Sequence, residues 1–142
     1  MPTFRHGKGA NFQLGNSSNV LQDLSSVVNA VDLPKKIDSS ETTAFGLSAK
    51  TYIVGLQDAT VKVDGMYDAT TDAQIIGVIG AIDAGTISSV NWQYGPEGTT
   101  TGRVKYSGAG IITSYDVKSG VGDVVGFSLE LQVTGAITRG AF

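Results

Sequence analysis

Between Val125 and Thr134 every second residue is apolar: Val125, Phe127, Leu129, Leu131 and Val133 alternate with Gly126, Ser128, Glu130, Gln132 and Thr134. A period of two places one set on each face of a strand, so this run predicts a long strand, dry on one side, from Val124 to Ile137. Arg103 to Tyr115 reads the same way, with Val104 and Tyr106 set against Arg103 and Lys105. The segment between them, Lys118-Ser119-Gly120-Val121-Gly122-Asp123, is turn-forming, which predicts one long hairpin. Gly108 and Gly110 predict a bend or bulge in its first strand.

The rest of the chain is read around this hairpin. Ala59 to Tyr67 predicts a strand with Val61 and Val63 on the dry face and Lys62 and Asp64 on the wet one. Shorter strands are predicted at Phe12–Leu14, Thr51–Val54 and Ile87–Tyr94, with turns at Gly55–Asp58 and Gly95–Gly98. From Val20 to Ala30, Asp23 can cap a short helix whose face is Leu24, Val27 and Val28. Val31 to Thr43 is expected to be extended. A longer helix is predicted over 71–84. Thr71 and Gln74 have capping-box spacing, Ile75, Val78, Ile79 and Ile82 form the stripe, and Gly85 ends it. Gly77 and Gly80 within it predict close approach to the sheet. The expected fold is mainly β: a twisted β-sandwich or open barrel with one packed α-helix, a single domain over 1–142. Within it are a short N-terminal arm of about 1–10 and the C-terminal hairpin of about 103–137.

Few residues suited to catalysis remain. There is no cysteine, and the single histidine, His6, is expected to be a solvated residue near the start. Asp58, Asp64, Asp68 and Asp72 lack the spacing of a calcium loop and read as turn and cap residues. Gly108-Ala109-Gly110 precedes a strand rather than a helix and makes no phosphate loop. Tyr94, Tyr106 and Tyr115 could stack on sugars or bases, but on alternating strands they read as core or interface residues. Lys35-Lys36 is the only adjacent basic pair, too little for tight nucleic-acid binding. No catalytic, cofactor or metal site is expected. Residues 1–10 are polar and basic with no apolar run after them, which predicts synthesis and folding in a cytosol. Charged residues are 16% of the chain, below the roughly 25% of ordinary soluble domains. Such a weakly charged surface gives little protection against self-association.

Two blocks carry a resemblance. Glu41-Thr42-Thr43-Ala44-Phe45-Gly46 is followed by Lys50-Thr51-Tyr52-Ile53, Gly55-Leu56, Asp58-Ala59-Thr60-Val61, Gly65 and Asp68. Near the end stand Gly122-Asp123-Val124-Val125, Val133-Thr134-Gly135 and Ile137-Thr138. In order, spacing and total length this resembles the major tail tube proteins of long-tailed (siphovirus-type) bacteriophages. The resemblance implies a β-sandwich flanked by a helix, closing into hexameric rings. The rings stack into a hollow tube whose lumen is a continuous β-barrel. It further implies, as partners, a tape-measure protein, a tail terminator and a baseplate or distal tail protein, with DNA passing through unbound. The same resemblance fits the tube of a phage-derived bacteriocin or a gene-transfer particle. A carbohydrate-binding or adhesin module is the alternative from another class. On the tube reading, the loop carrying Glu41, Thr42, Thr43, Phe45 and Leu47 is expected to reach a neighbouring subunit. Arg103, Lys105, Ser128, Glu130 and Gln132 of the hairpin are expected to contribute to the lumen wall.

Overall fold

In the computed structural model, residues 4, 7–46 and 48–142 are described; His6 and Leu47 lie outside the described residues. A 3-10 turn at Gly7–Gly9 leads into β1 (Asn11–Gly15), β2 (Leu21–Asp23), β3 (Val28–Asp32), β4 (Lys35–Glu41) and β5 (Tyr52–Met66). Helix α1 (Ala69–Asp83) is followed by β6 (Val90–Gly95), β7 (Val104–Lys118) and β8 (Gly126–Ala141). All pairings are antiparallel, in the order β2-β1-β6-β7-β8-β5-β3, with β4 added on β5. The two ends of that path, β2 and β3, are consecutive in the chain. The turn between them bridges the sheet, because Leu24 N–H donates to the Phe12 carbonyl and Met66 N–H to the Val27 carbonyl. The sheet therefore curls back on itself as an open barrel.

The alternation read from sequence is the packing pattern. Phe127, Leu129, Leu131 and Val133 of β8 are buried, as are Val61 and Val63 of β5 beside them. They meet Phe12 and Leu14 of β1, Val90 and Trp92 of β6, and Ile75 and Val78 of α1 in one core. Each large apolar side chain so buried contributes about 1.5–3 kcal/mol. The hairpin of β7 and β8 runs from Val104↔Ala141 to Lys118↔Gly126. Its register shifts between Ser107 and Ala109, where the extra residues lie on β8 around Gly135, which has φ +84°. Gly108 stands opposite because a Cβ there would come within 3.3 Å of the Trp92 ring.

Helix α1 is capped by Asp68, whose carboxylate accepts from Thr71 N–H at 3.2 Å. The cap thus lies three residues before the Thr71 that the capping-box spacing suggested. At the other end Gly85 (φ +78°) donates to the Ile82 carbonyl and Thr86 N–H to the Ala81 carbonyl, a Schellman ending. The stripe Ile75, Val78, Ile79 and Ile82 faces the core. Gly77 and Gly80 do not mediate the close approach expected of them. A Cβ at Gly80 would meet nothing within 4 Å, and one at Gly77 only Ser17 at 3.8 Å.

Two further expectations are corrected. Val20 to Ala30 forms no α-helix; it holds β2, a turn and the start of β3. Asp23 does cap, but it caps that turn: its carboxylate accepts from Ser25 N–H at 2.9 Å and from Asn11 Nδ2 at 3.2 Å. Partial burial pushes the Asp23 carboxyl up, but the hydrogen bonds from Ser25 and Asn11 outweigh it and hold the group below its usual value. Buried Asn11 also donates to Ser25 Oγ at 2.8 Å, and Ser25 Oγ accepts from Phe12 N–H at 3.0 Å. This polar network fixes the turn to β1 and outbids a single helical turn. The second correction is Gly55–Asp58, which makes no turn. It is the middle of the 15-residue strand β5. The register of β4 against β5 slips between Ile37 and Ser39, so that β5 bulges at Gly55 and Leu56. Glycine fits there because a Cβ on Gly55 would lie 3.1 Å from the Asp38 Cβ.

Candidate assembly surface

Strand β5 serves two structures. From Thr60 to Met66 it pairs with β8 inside the body. From Tyr52 to Ala59 it pairs only with β4, and the two strands leave the body as a two-stranded arm. Seven strand residues extend this arm about 20 Å at roughly 3.3 Å each. Every residue of β4, and β5 from Tyr52 to Asp58, is exposed. The exposed set is nevertheless apolar: Ile37, Tyr52, Ile53, Val54 and Leu56 are 57–83% exposed. An isolated hairpin is at best marginally stable in water, and both edges of this one carry unpaired backbone groups. Such an element is suited to being covered by another chain.

The loop expected to reach a neighbour is the tip of this arm. Glu41 closes the ladder opposite Tyr52. Thr42 and Thr43 stitch the tip: Thr42 N–H donates to the Thr51 carbonyl at 2.7 Å, the Thr42 and Thr51 hydroxyls are 2.8 Å apart, and Thr51 N–H donates to Thr43 Oγ1 at 2.9 Å. These threonines shape the loop and leave Phe45 fully exposed beside Gly46 (φ +89°). Tyr52, Ile53, Val54 and Leu56 were not singled out from sequence. Their signal was an apolar run with no matching polar face.

The hairpin residues separate into two groups. Ser128, Glu130 and Gln132 share the face of β8 opposite the core. They stand in register with Asp64, Lys62 and Thr60 of β5 and, on β7, with Asp116, Ser114 and Ile111. Ser128 Oγ donates to Asp64 Oδ1 at 2.7 Å, and Gln132 Nε2 to Asp58 Oδ1 at 2.5 Å. Asp32, Asp58, Asp64, Asp116 and Glu130 outnumber Lys36, Lys62 and Lys118 on this face. Arg103 and Lys105 are elsewhere, at the far end of the hairpin. Lys105 pairs with Gly140, ten residues from Glu130 along β8 and so about 30 Å away. Arg103 Nη1 donates to the Glu97 carbonyl at 2.6 Å, and Lys105 Nζ lies 5.5 Å from the centre of the Phe142 ring. The sequence placed all five residues on one hairpin. It did not show that the bulges and length of that hairpin put them in different places.

Among the described residues no three histidine, cysteine, aspartate or glutamate side chains gather as metal ligands, and no helix is long and apolar enough to cross a membrane. The sequence matches no protein-family model and no curated protein. The fold does match solved structures. The tail of an empty gene transfer agent particle, with C6 symmetry, superposes with a TM-score of 0.75 at 14% identity, covering 97% of this chain and 100% of that one. The SPP1 tail tube matches with a TM-score of 0.69 at 12% identity over 96% of this chain and 79% of that one. The chain has the tail tube fold. The sheath-tube complex of an extracellular contractile injection system matches too, with a TM-score of 0.69 at 11% identity over 94% of this chain and 88% of that one. Identities this low make the shared feature the overall fold, not particular side chains.

Proposed function

We propose that this chain is the structural subunit of a hollow tail tube, assembling as hexameric rings that stack and conduct DNA. The observation that carries the reading is the apolar arm of β4 and β5, left uncovered on a tail tube fold. A tube supplies the cover, because each copy can lay its arm against the next. Ring closure also removes sheet edges that would otherwise pair indiscriminately. A role without catalysis is consistent with how few reactive groups the chain carries.

The face of Ser128, Glu130 and Gln132 is the wall of the lumen in this reading. Its excess of carboxylates repels phosphate, which suits a conduit that must not hold DNA. Arg103 and Lys105, at the other end of the hairpin, then contact the rim of the ring. Tape-measure, terminator and baseplate or distal tail proteins are the partners such a tube requires, and the virion tail is its place after synthesis in a bacterial cytoplasm. The reading covers gene transfer agents and contractile injection systems as well as phage tails, since tubes from all three kinds of particle share the fold.

The test is negative-stain microscopy of the purified protein across a concentration series. Hollow tubes or six-fold rings are expected. A monodisperse monomer at every concentration, with glycan binding, would replace this reading by that of a binding module.

A further inference from the structure

Where the arm leaves the body, the sheet forks. Up to Thr60↔Gln132 strands β5 and β8 are paired; beyond that point β5 goes with β4 and β8 continues with β7. The wedge between them is a groove of about 430 Å³, with Ile37 and Leu56 on the arm side and Val133 and Ile137 on the β8 side. The bulged stretch of β8, Gly135 to Ile137, lines it. Lys35, Lys36 and Asp58 also line it. Lys35 is already engaged, with Nζ 4.8 Å from the centre of the Tyr106 ring, and Asp58 accepts from Gln132. Lys36, in register with Asp58 across the ladder, is the other cation at the rim.

At the other end of the arm is a side chain shaped for such a groove. Phe45 is wholly exposed beyond the point where the threonine bonds close the hairpin. A phenyl ring in water forgoes a burial worth about 1.5–3 kcal/mol. Glu41, at the last rung of the ladder below the tip, is opposite in charge to Lys36. The tip cannot fold back into its own groove, because a paired β-hairpin is extended and holds the two about 20 Å apart.

We propose that the Phe45 tip of one copy seats in the fork of the next, with Phe45 against Ile37, Leu56, Val133 and Ile137 and Glu41 facing Lys36. This rests on the tube reading and deepens it by naming both halves of one contact. Donor tip and acceptor fork are different surfaces of the same chain, so the contact is head-to-tail and propagates from copy to copy. The groove lies at the root of the arm, so seating one tip also braces the arm that donates the next. Assembly would thereby stiffen each newly added arm.

The chain has no cysteine, which makes a clean cross-linking test possible. Chains carrying only Ala44→Cys, next to Phe45, are mixed with chains carrying only Gln57→Cys, in the groove wall, so that Phe45 and Leu56 stay in place; the mixture is oxidised and run on a non-reducing gel. A control replaces the second partner by Val121→Cys, an exposed residue on the β7–β8 loop. A dimer band several-fold stronger for the 44–57 pair than for the 44–121 pair is expected. Equal bands overturn the docking. In parallel, Glu41→Lys and Lys36→Glu should each raise the concentration needed for assembly, and the double variant should restore it. Failure of the double variant to recover likewise overturns the pairing of those charges. If wild-type tubes form while both tests fail, only this contact is wrong; if the wild type forms no tube, the tube reading itself falls.

Discussion

Leu56→Ser separates the stability of the fold from the stability of the assembly. Leu56 is 83% exposed, within Tyr52–Asp58, the stretch of the arm that places no residue in the core. Its loss should therefore change the stability of the isolated chain by no more than about 0.5 kcal/mol, the usual range for surface positions. For a chain of this length that is roughly 1–2 °C in Tm. If a neighbouring copy covers Leu56, the same change removes about 2 kcal/mol from every contact. At 1.4 kcal/mol per factor of ten, the concentration at which assembly begins should rise roughly 30-fold. Leu131→Ala is the counterpart: a leucine with 0% exposure, whose truncation should cost the fold about 2–5 kcal/mol. Trp92, the sole tryptophan, is buried in the core and reports unfolding through its fluorescence, measured below the assembly threshold. Light scattering against concentration gives the threshold itself. An unchanged threshold for Leu56→Ser, or a loss of monomer stability as large as that of Leu131→Ala, would refute the idea that the arm is kept for intermolecular contact.

Gly65→Ala should destabilise the chain by about 1–3 kcal/mol in denaturant titration, because the added Cβ would collide with the Val27 carbonyl and lie 2.9 Å from the Phe127 ring. Asp68→Ala should cost about 1 kcal/mol by removing the cap of α1, with Asp68→Asn recovering most of it. Burial, then the hydrogen bond to the Asp72 carboxylate at 2.7 Å, raise the Tyr115 phenol above its ordinary value of 10.0. The unfolded chain ionises this group near pH 10 while the fold keeps it protonated, so its contribution is complete below that pH and is lost as pH rises above it. Tyr115→Phe should flatten that alkaline slope; an unchanged slope would remove Tyr115 as its source. Gln132→Cys in assembled tubes should react with a small thiol reagent and resist one too bulky for the lumen, whereas ready labelling by both would put this face outside.

What could be read from the sequence was what depends on local periodicity. Phe127, Leu129, Leu131 and Val133 declared a strand with one dry face, and Ile75, Val78, Ile79 and Ile82 declared the helix that covers the core. Two features depended on longer range. The segment after Asp23 has helical spacing at Leu24, Val27 and Val28, yet Asn11 and Ser25 satisfy that turn through β1, a partner distant in sequence. Gly55 looked like a turn because glycine permits one; its use here is to let β5 pass close to Asp38. Once that bulge is recognised, Tyr52–Met66 becomes one strand, and its first half has no body to lie on. The tip residues Glu41, Thr42, Thr43 and Phe45 were legible as a loop, but the arm beneath them was not, since nothing local marks where a strand leaves its sheet. Arg103 and Lys105 were grouped with Glu130 for the same reason: alternation gives the face of a residue, not its distance along a bulged hairpin.

A cryo-EM reconstruction of particles formed by the purified chain alone tests the central claim most directly. The account predicts a hollow tube of six-fold rings in which β4 and Tyr52–Asp58 of β5 are buried between copies. Particles whose arms project into solvent, or a chain that stays monomeric at every concentration, would contradict it.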